Sequence, residues 1–251
     1  MIELRDYALR DVVTNCLAIV EAQFKELEST VEPARLVPWE GTLNWRFTEQ
    51  SLQQVLLQKL ARQISGVKAT DVLLLAGRLQ EIGVIYRSLD EILEDIDFLV
   101  LGFVTGQWTV QHDAYVKYFW SESIGDGPSY RRKSIRAFVN RALGQADPSS
   151  ADANGREIHS TFSDFVHARS HPIMGMVAGP PAAFELDSIF DASAVAPFAE
   201  QQPMYAYRCL MSALFVARVL LPEERHATFY SNLREFETQH AALVFPAGVR
   251  R

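Results

Sequence analysis

The fold is decided by residues 70–105, TDVLLLAGRLQEIGVIYRSLDEILEDIDFLVLGFVT. In this stretch one set of apolar residues recurs at alternating steps of three and four: Ile82, Ile85, Leu89, Ile92, Ile96, Leu99 and Phe103. Because an α-helix has 3.6 residues per turn, this spacing places them all on one stripe. We therefore predict a single long amphipathic helix over residues 70–105. Gly77 and Gly83 each cost about 1 kcal/mol relative to alanine and favour a kink or break in its first half.

The rest of the chain predicts further helices rather than strands. Apolar residues repeat with helical spacing over residues 3–30, 48–66, 109–123, 129–144, 154–171, 203–221 and 222–244. Only residues 183–186 show a weak strand pattern. The predicted fold class is all-α, a single domain over residues 1–251 with about eight helices, one of them long and central, and with flexible loops at 145–155 and 172–202. Trp39 and Trp45 lie in a predicted loop, which we expect to pack onto the core.

Composition argues against some classes of function but does not identify one. The formal net charge of −7 argues against a general polyanion binder, because phosphate contacts need a concentrated positive field. Cys16 and Cys209 both fall in apolar helical patterns and are predicted to be buried, unpaired thiols. The amino terminus lacks an apolar signal region, and the longest apolar stretches are too short to cross a bilayer. A cytoplasmic protein with no membrane partner is expected. No phosphate-binding glycine loop is present, and no cofactor is predicted.

Histidines are concentrated in the segment 154–171. His159, Ser163, His167 and His171 follow one another at steps of four, which is close to one helix turn. Imidazoles at this spacing are able to clamp a metal together with a carboxylate such as Glu91, Asp95 or Glu122. No second Cys/His cluster accompanies them, so we favour histidines without a metal. His167 and His171 remain candidates for acid–base chemistry, because imidazole titrates near neutral pH.

Arg87, Glu91 and Asp95 lie along one flank of the long helix, beside its apolar stripe. From that position their side chains are expected to reach into a groove between helices. Two interpretations stay open. The three groups hold a polar ligand, or they pair with one another and with charges across the bundle, where an exposed pair contributes under about 1 kcal/mol.

The strongest local basic patch is the segment 130–136, YRRKSIR. Arg132 and Arg136 are four residues apart and share one helix face, while Ile135 and Val139 take the core side. Such a patch is able to contact RNA, a phosphate or an acidic partner surface. A solvated helix face is the competing interpretation.

RSLDE at residues 87–91, combined with FSDFVH at residues 162–167, resembles certain uncharacterised bacterial helical proteins grouped with the HEPN superfamily. The resemblance covers residues 70–175. It implies a helical bundle of a type that often acts as a ribonuclease in toxin and defence systems. The superfamily's catalytic signature is an arginine followed four to six residues later by a histidine. Its match here, Arg234 and His240, lies outside the resembling segment, so the resemblance leaves catalysis open.

Three functional hypotheses follow. The first is an HEPN-like, RNA-associated protein in which Arg132 and Arg136 contact phosphates and His167 or His171 serves in acid–base catalysis. The second is a non-catalytic interaction protein or homo-oligomer that associates through helices and loop aromatics. The third is a helical bundle that binds a metal or a small ligand through its histidines or through Arg87 and Glu91.

Overall fold

A computed structural model describes residues 9–39, 41–121, 132–144, 162–187, 190 and 192–244. Within these ranges it confirms the all-α class: 73% of the residues are helical, in nine numbered helices and a further helical stretch at 162–166, and there are two short two-stranded sheets. In chain order, the first elements are α1 (Arg10–Glu28), β1 (Arg35–Trp39), β2 (Thr42–Arg46), α2 (Leu52–Leu75), α3 (Leu79–Val104), α4 (Val110–Trp120) and α5 (Arg132–Ala142). They are followed by α6 (Ser170–Met174), β3 (Val177–Ala178), β4 (Ala183–Phe184), α7 (Ala192–Ala199), α8 (Gln202–Leu220) and α9 (Glu223–Val244).

The predicted long helix begins later than its sequence pattern indicated. The chain reverses at Gly77, whose positive φ of 67° suits a residue without Cβ, so residues 70–75 belong to α2. The prediction that one helix covers residues 70–105 is wrong, while the break predicted near Gly77 is confirmed. Gly66, expected to end the preceding helix, lies buried inside α2. A Cβ there would approach Leu89 Cδ2 to 2.7 Å, so this glycine permits close packing of α2 on α3.

The centre of the bundle is α8 rather than α3. Helix α8 packs against α1, α2, α3 and α9, and its small buried residues Ala206, Ala213 and Ala217 allow those close approaches. Helix α3 is the longest at 26 residues and packs on α2, α8 and α5. Because it is covered on several sides, Tyr86, Phe98 and Val100 are buried although they lie off the predicted stripe. Phe103, on the stripe, is 48% exposed.

Buried polar side chains tie the central helices together. The Tyr86 hydroxyl lies 2.8 Å from the Phe198 carbonyl oxygen and 2.8 Å from Gln202 Oε1. The Gln202 amide donates in turn to the Val67 carbonyl oxygen at 2.9 Å. Helices α2, α3 and α8 are therefore joined at a site where an unpaired polar group would be costly.

Both cysteines are buried and unpaired, as predicted. Burial raises the pKa of the Cys16 thiol and that of the Cys209 thiol well above the usual range. Both therefore stay protonated and act as small apolar side chains. Among the described residues, none of the helices combines the length and apolar character needed to cross a membrane.

The segment predicted as a loop carrying two tryptophans is an antiparallel hairpin. Strands β1 and β2 pair Leu36 with Trp45 and Pro38 with Leu43 around Gly41, whose φ is 80°. The expectation that this segment packs onto the core is wrong for Trp45, which is 66% exposed. We call residues 35–46 the arm. It contacts the helices sparsely in the described part of the chain.

The histidine segment also departs from the prediction. Residues 145–161, including His159 and most of the predicted flexible loop, lie outside the described residues. Residues 162–166 are helical, but the chain turns at 167–168, where Ala168 has a φ of 47°. The prediction of one helix running to His171 is therefore wrong, and His167 and His171 belong to separate elements. Residues 172–202, predicted to be irregular, contain the β3–β4 hairpin and α7.

His112 holds the beginning of α4 against α3. Its ring stacks on Phe98 at 3.9 Å, and its Nδ1 accepts a hydrogen bond of 3.0 Å from the Thr109 backbone N–H. Since a backbone N–H can only donate, Nδ1 is unprotonated, and Nε2–H donates to the Phe98 carbonyl oxygen at 3.2 Å. Burial, opposed by these backbone hydrogen bonds, lowers the pKa of His112 below 6.5. The folded protein therefore contains His112 with a neutral imidazole ring.

This assignment predicts that the protein loses stability as the pH falls below 6.5. The unfolded histidine takes up its proton near pH 6.5, whereas the folded one does so only at its lower pKa. Stability is therefore complete above pH 6.5 and falls by up to about 1.4 kcal/mol per pH unit below it. Urea unfolding at pH 7.5 and 5.5 measures the loss. His112→Gln, which keeps an acceptor for the Thr109 N–H, should lose less between these pH values; an equal loss in both proteins would contradict the assignment.

Candidate functional site

The charged residues predicted on the flank of α3 form a network with α2 and α5. Arg87 Nη2 lies 2.8 Å from Glu91 Oε1, one turn along α3. Lys59 of α2 lies 2.8 Å from Asp95 Oδ2, and Arg132 of α5 donates to Asp95 Oδ1. Arg87 and Glu91 thus pair with each other, and Asp95 pairs with charges from α2 and α5. The other interpretation, that these groups hold a polar ligand, stays a prediction.

Asp95 is the centre of this network. Its side chain is only 4% exposed, and Lys59 is 12% exposed, so both charges are removed from water. Burial alone would lower the pKa of Arg132, but the Asp95 and Glu91 carboxylates, together with Tyr115, outweigh burial and the pKa is raised. Burial, with the Asp95 charge, raises the pKa of Tyr115 above its usual range. Arg132 therefore stays charged and the Tyr115 hydroxyl stays protonated near neutral pH.

The basic helix predicted to face solvent or RNA is turned towards α3. Arg132 also donates to the Glu91 carbonyl oxygen at 3.2 Å, and Arg136 Nη1 lies 3.6 Å from Glu94 Oε1. The Arg136 side chain is 15% exposed. The two arginines share one face, as their spacing indicated, but that face meets the carboxylates of α3. Lys133 and Arg141, on the outer side of α5, are exposed.

Residues 162–165, from the FSDFVH segment, pack on α3 just before the RSLDE segment at residues 87–91. Phe162 lies edge-on to Tyr86 at 5.4 Å. Phe165 covers Gly83, where a Cβ would come within 2.4 Å of the Phe165 ring, so a glycine is required at that crossing. The residues that follow this contact, His167 and His171, are both exposed, with Arg169 between them. Arg169 pairs with Asp164 at 3.2 Å.

Other candidate residues are dispersed. Arg234 pairs with Glu237 on α9, while His240 contacts Asn15 of α1 at 3.3 Å and packs against Phe236. His159 and Glu122 lie outside the described residues. Within the described ranges, no group of three or more histidine, cysteine, aspartate or glutamate side chains is placed to hold a metal ion.

The structure reveals an exposed apolar surface that sequence reasoning missed. One face of the arm carries four apolar residues: Leu36, Pro38, Leu43 and Trp45. They share this face because residues two apart in a strand point to the same side, and because Leu36 is paired with Trp45 and Pro38 with Leu43. Leu36 is 51% exposed, and Leu43 and Trp45 are each 66% exposed. We call these four residues the arm face. An alternation of apolar residues on both sides of Gly41 was the available signal, and Pro38 obscured it.

The site is thus defined by a helical bundle whose internal charges are paired and whose arm presents an apolar face to solvent. In comparisons with known proteins, no family model, no curated protein and no solved structure matches the chain. The class that the structure defines is an all-α bundle with a protruding hairpin.

Proposed function

We propose that the protein is a non-catalytic interaction protein that binds a second copy of itself through the arm face. One observation carries the proposal: apolar side chains, among them a tryptophan, stand 51–66% exposed on a hairpin that contacts its own bundle sparsely. Tryptophan buries a large apolar area and is enriched at protein interfaces. A two-stranded hairpin is also marginally stable by itself, so further burial of its face stabilises it.

The arm face carries no charged side chain, so two copies can approach through it. Elsewhere, two chains with a net charge of −7 repel one another over most of their surfaces. The arm carries Arg35 and Arg46, and strand alternation places both on the side opposite the arm face. Two arm faces related by a two-fold axis therefore meet without burying a charge, and each residue finds its complement in the same patch.

The predicted dimer is weak. Four side chains cover less than the roughly 800 Å² per partner of a standard stable interface. We therefore expect dissociation in the micromolar range, with monomers at low concentration. Interfaces of this size are typical of transient association.

Leu43→Asp should abolish self-association. The new carboxylate would lie at the centre of the arm face and lose its hydration in the dimer without a partner. Asn44→Asp is the matched control, because it adds the same charge one residue away on the opposite side of β2. Sedimentation equilibrium from 1 to 200 µM should show a concentration-dependent mass for the wild type and for Asn44→Asp, but a constant monomer mass for Leu43→Asp. A monomeric wild type, or equal association of the two variants, would refute the proposal.

A second candidate function is that of an HEPN-like, RNA-associated protein. What supports it is the packing of residues 162–165 on α3, together with the exposure of His167 and His171 beyond that contact. In this form of the proposal RNA approaches the 167–171 surface, where Arg169 supplies positive charge and the imidazoles supply acid–base groups. Arg132 and Arg136 support the bundle beneath instead of contacting phosphates, because both are paired with α3.

The RNA proposal is tested with a single-stranded RNA oligonucleotide. Binding should weaken steeply as salt rises from 50 to 200 mM, and RNA cleavage or binding should fall at least about tenfold in His167→Ala/His171→Ala. Met174→Ala, an exposed position in α6, is the control. No binding at 50 mM salt, or equal activity in the double variant and the control, would eliminate this candidate.

A further inference from the structure

Strand β2 has an outer edge that no other strand covers. It belongs to a two-stranded sheet, so β1 is its only strand partner among the described residues. Leu43 and Trp45 are each 66% exposed, and the arm contacts the helices sparsely. An uncovered edge presents main-chain N–H and C=O groups with which another strand is able to pair.

Pro38 shows which main-chain groups of β2 point outward. In an antiparallel pair of strands, opposite residues alternate between exchanging two main-chain hydrogen bonds and exchanging none. Pro38 has no N–H, so its pair with Leu43 exchanges none, and the same holds two residues further on for Leu36 and Trp45. Residues in such pairs direct their N–H and C=O groups away from the partner strand. Leu43 and Trp45 therefore offer two donors and two acceptors at the outer edge of β2.

The two edges of the arm are not equivalent. On β1, Pro38 removes one of the two outward donors, and proline on an edge strand hinders further pairing. On β2, both outward N–H groups are present. Within the part of the chain that the structure describes, no main-chain hydrogen bond joins Leu43 or Trp45 to an element other than β1. The edge of β2 is thus the side on which the arm is able to accept another strand.

A cleft of about 290 Å³ lies at the end of β2, where the arm joins the bundle. Residues 45–47 line it together with Phe119 and Trp120 of α4, whereas the β1 side contributes only Ala34 among the described residues. Phe119 and Trp120 meet edge to face at 5.2 Å. The indole N–H of Trp120 is buried and has no acceptor within the described ranges. A strand beside β2 that continues past Trp45 would reach this aromatic cleft.

We infer that the edge of β2 binds an extended peptide segment of another protein, which runs antiparallel to β2 and places one bulky apolar side chain in the cleft. Main-chain hydrogen bonds supply affinity in this mode of recognition, and pockets for side chains supply specificity. The cleft is at the lower end of small-molecule sites, which begin near about 300 Å³, and suits a single large side chain. The inference does not depend on self-association, because the proposed dimer uses the arm face and leaves the edge of β2 open.

The probe for this site is the uncharged peptide acetyl-Phe-Thr-Val-Thr-Val-Gln-amide, whose apolar residues alternate and whose phenylalanine reaches the cleft in the antiparallel orientation. In two-dimensional ¹H–¹⁵N NMR, the main-chain signals of Leu43 and Trp45 and the indole signal of Trp120 should shift on titration. The indole signal of Trp108 should not, because it lies outside the cleft and donates to Asp113 at 2.7 Å. The same peptide with N-methylated valines keeps its side chains but loses the donors that face β2, and should bind at least about tenfold more weakly.

Leu43→Pro tests the protein side of the same hydrogen bonds. It removes one outward N–H of β2 without removing a hydrogen bond inside the arm, because Leu43 is paired with a residue that is itself proline. Leu36→Pro is the matched control, since it makes the same change on the arm face but at the edge of β1. The affinity for the peptide should fall at least about tenfold in Leu43→Pro and stay at the wild-type value in Leu36→Pro.

Four results would overturn the inference. They are no shift of the Leu43 and Trp45 signals up to 2 mM peptide, equal binding of the N-methylated peptide, equal affinity of the two proline variants, and a second copy at the edge. The last would be shown by sedimentation if Leu43→Pro abolished self-association while Leu36→Pro preserved it. The N-methylated peptide is tested on the wild type, so the inference stays testable if a proline variant does not fold.

Discussion

Replacing Asp95 by alanine is expected to lower the free energy of unfolding by about 3–5 kcal/mol. The change leaves the Lys59 ammonium and the Arg132 guanidinium close together without the carboxylate that neutralises them. Since Lys59 is only 12% exposed, water compensates this charge poorly. Removing one member of a buried ion pair is much more costly than removing an exposed one. Urea unfolding monitored by circular dichroism measures the difference.

Glu91→Ala is the matched control for Asp95→Ala. Glu91 lies on the same helix one turn earlier and pairs with Arg87 and Arg132, but its side chain is 35% exposed. Its loss should cost under about 1 kcal/mol, because exposed pairs are well screened. If both variants lost the same stability, the network would not depend on Asp95, and the structural role assigned to Arg132 would be wrong.

Gly102→Ala is expected to destabilise the protein by about 1–3 kcal/mol, although alanine is the better helix former. A Cβ at this position would lie 2.3 Å from His112 Nε2, and the ring is also stacked on Phe98. The imidazole therefore cannot move away without losing its hydrogen bonds. Thermal and urea unfolding of the single variant give the cost.

A double-mutant cycle with His112→Ala isolates the cause. Without the imidazole, the methyl group of Gly102→Ala has room, and the substitution should become neutral or stabilising by up to about 1 kcal/mol, the helix-propensity difference. An equal cost in both backgrounds would show that the close approach to His112 is not what requires glycine at this position.

Helical periodicity predicted the fold class because apolar residues recur with helical spacing along each long helix. The helix boundaries were harder to predict, because glycine serves two different purposes here. Gly77 reverses the chain through a positive φ, whereas Gly66 lets α3 approach α2 inside a continuous helix. Both are single glycines in similar apolar surroundings. Only the neighbouring helix distinguishes a break from a close contact.

The prediction of the candidate site was limited for the same reason, because the sequence does not show which elements lie next to one another. Spacing predicted correctly that Arg132 and Arg136 share a face, but it gave no information that α3 lies opposite them. Asp90 is not part of the apolar stripe of α3, yet it is buried, and its Oδ1 lies 2.7 Å from the guanidinium of Arg208 on α8. A charged residue on a helix predicts an exposed face only where no opposite charge from another element pairs with it.

The arm was missed for a local reason. Its strands have five residues each, and Pro38 weakens the alternation in β1. The predicted burial of the tryptophans followed from the large apolar area of indole. That argument states a preference for burial and does not specify which surface supplies it. In the proposed dimer the partner's arm face supplies it.

Hydrogen–deuterium exchange at two protein concentrations tests the central claim that the arm face is the interaction surface. Peptides spanning residues 35–46 should exchange more slowly at 100 µM than at 1 µM, because dimerisation covers and stabilises the hairpin. Peptides from α3, residues 79–104, should exchange equally at both concentrations. Slowing elsewhere with an unchanged arm, or equal exchange at all positions, would contradict the account.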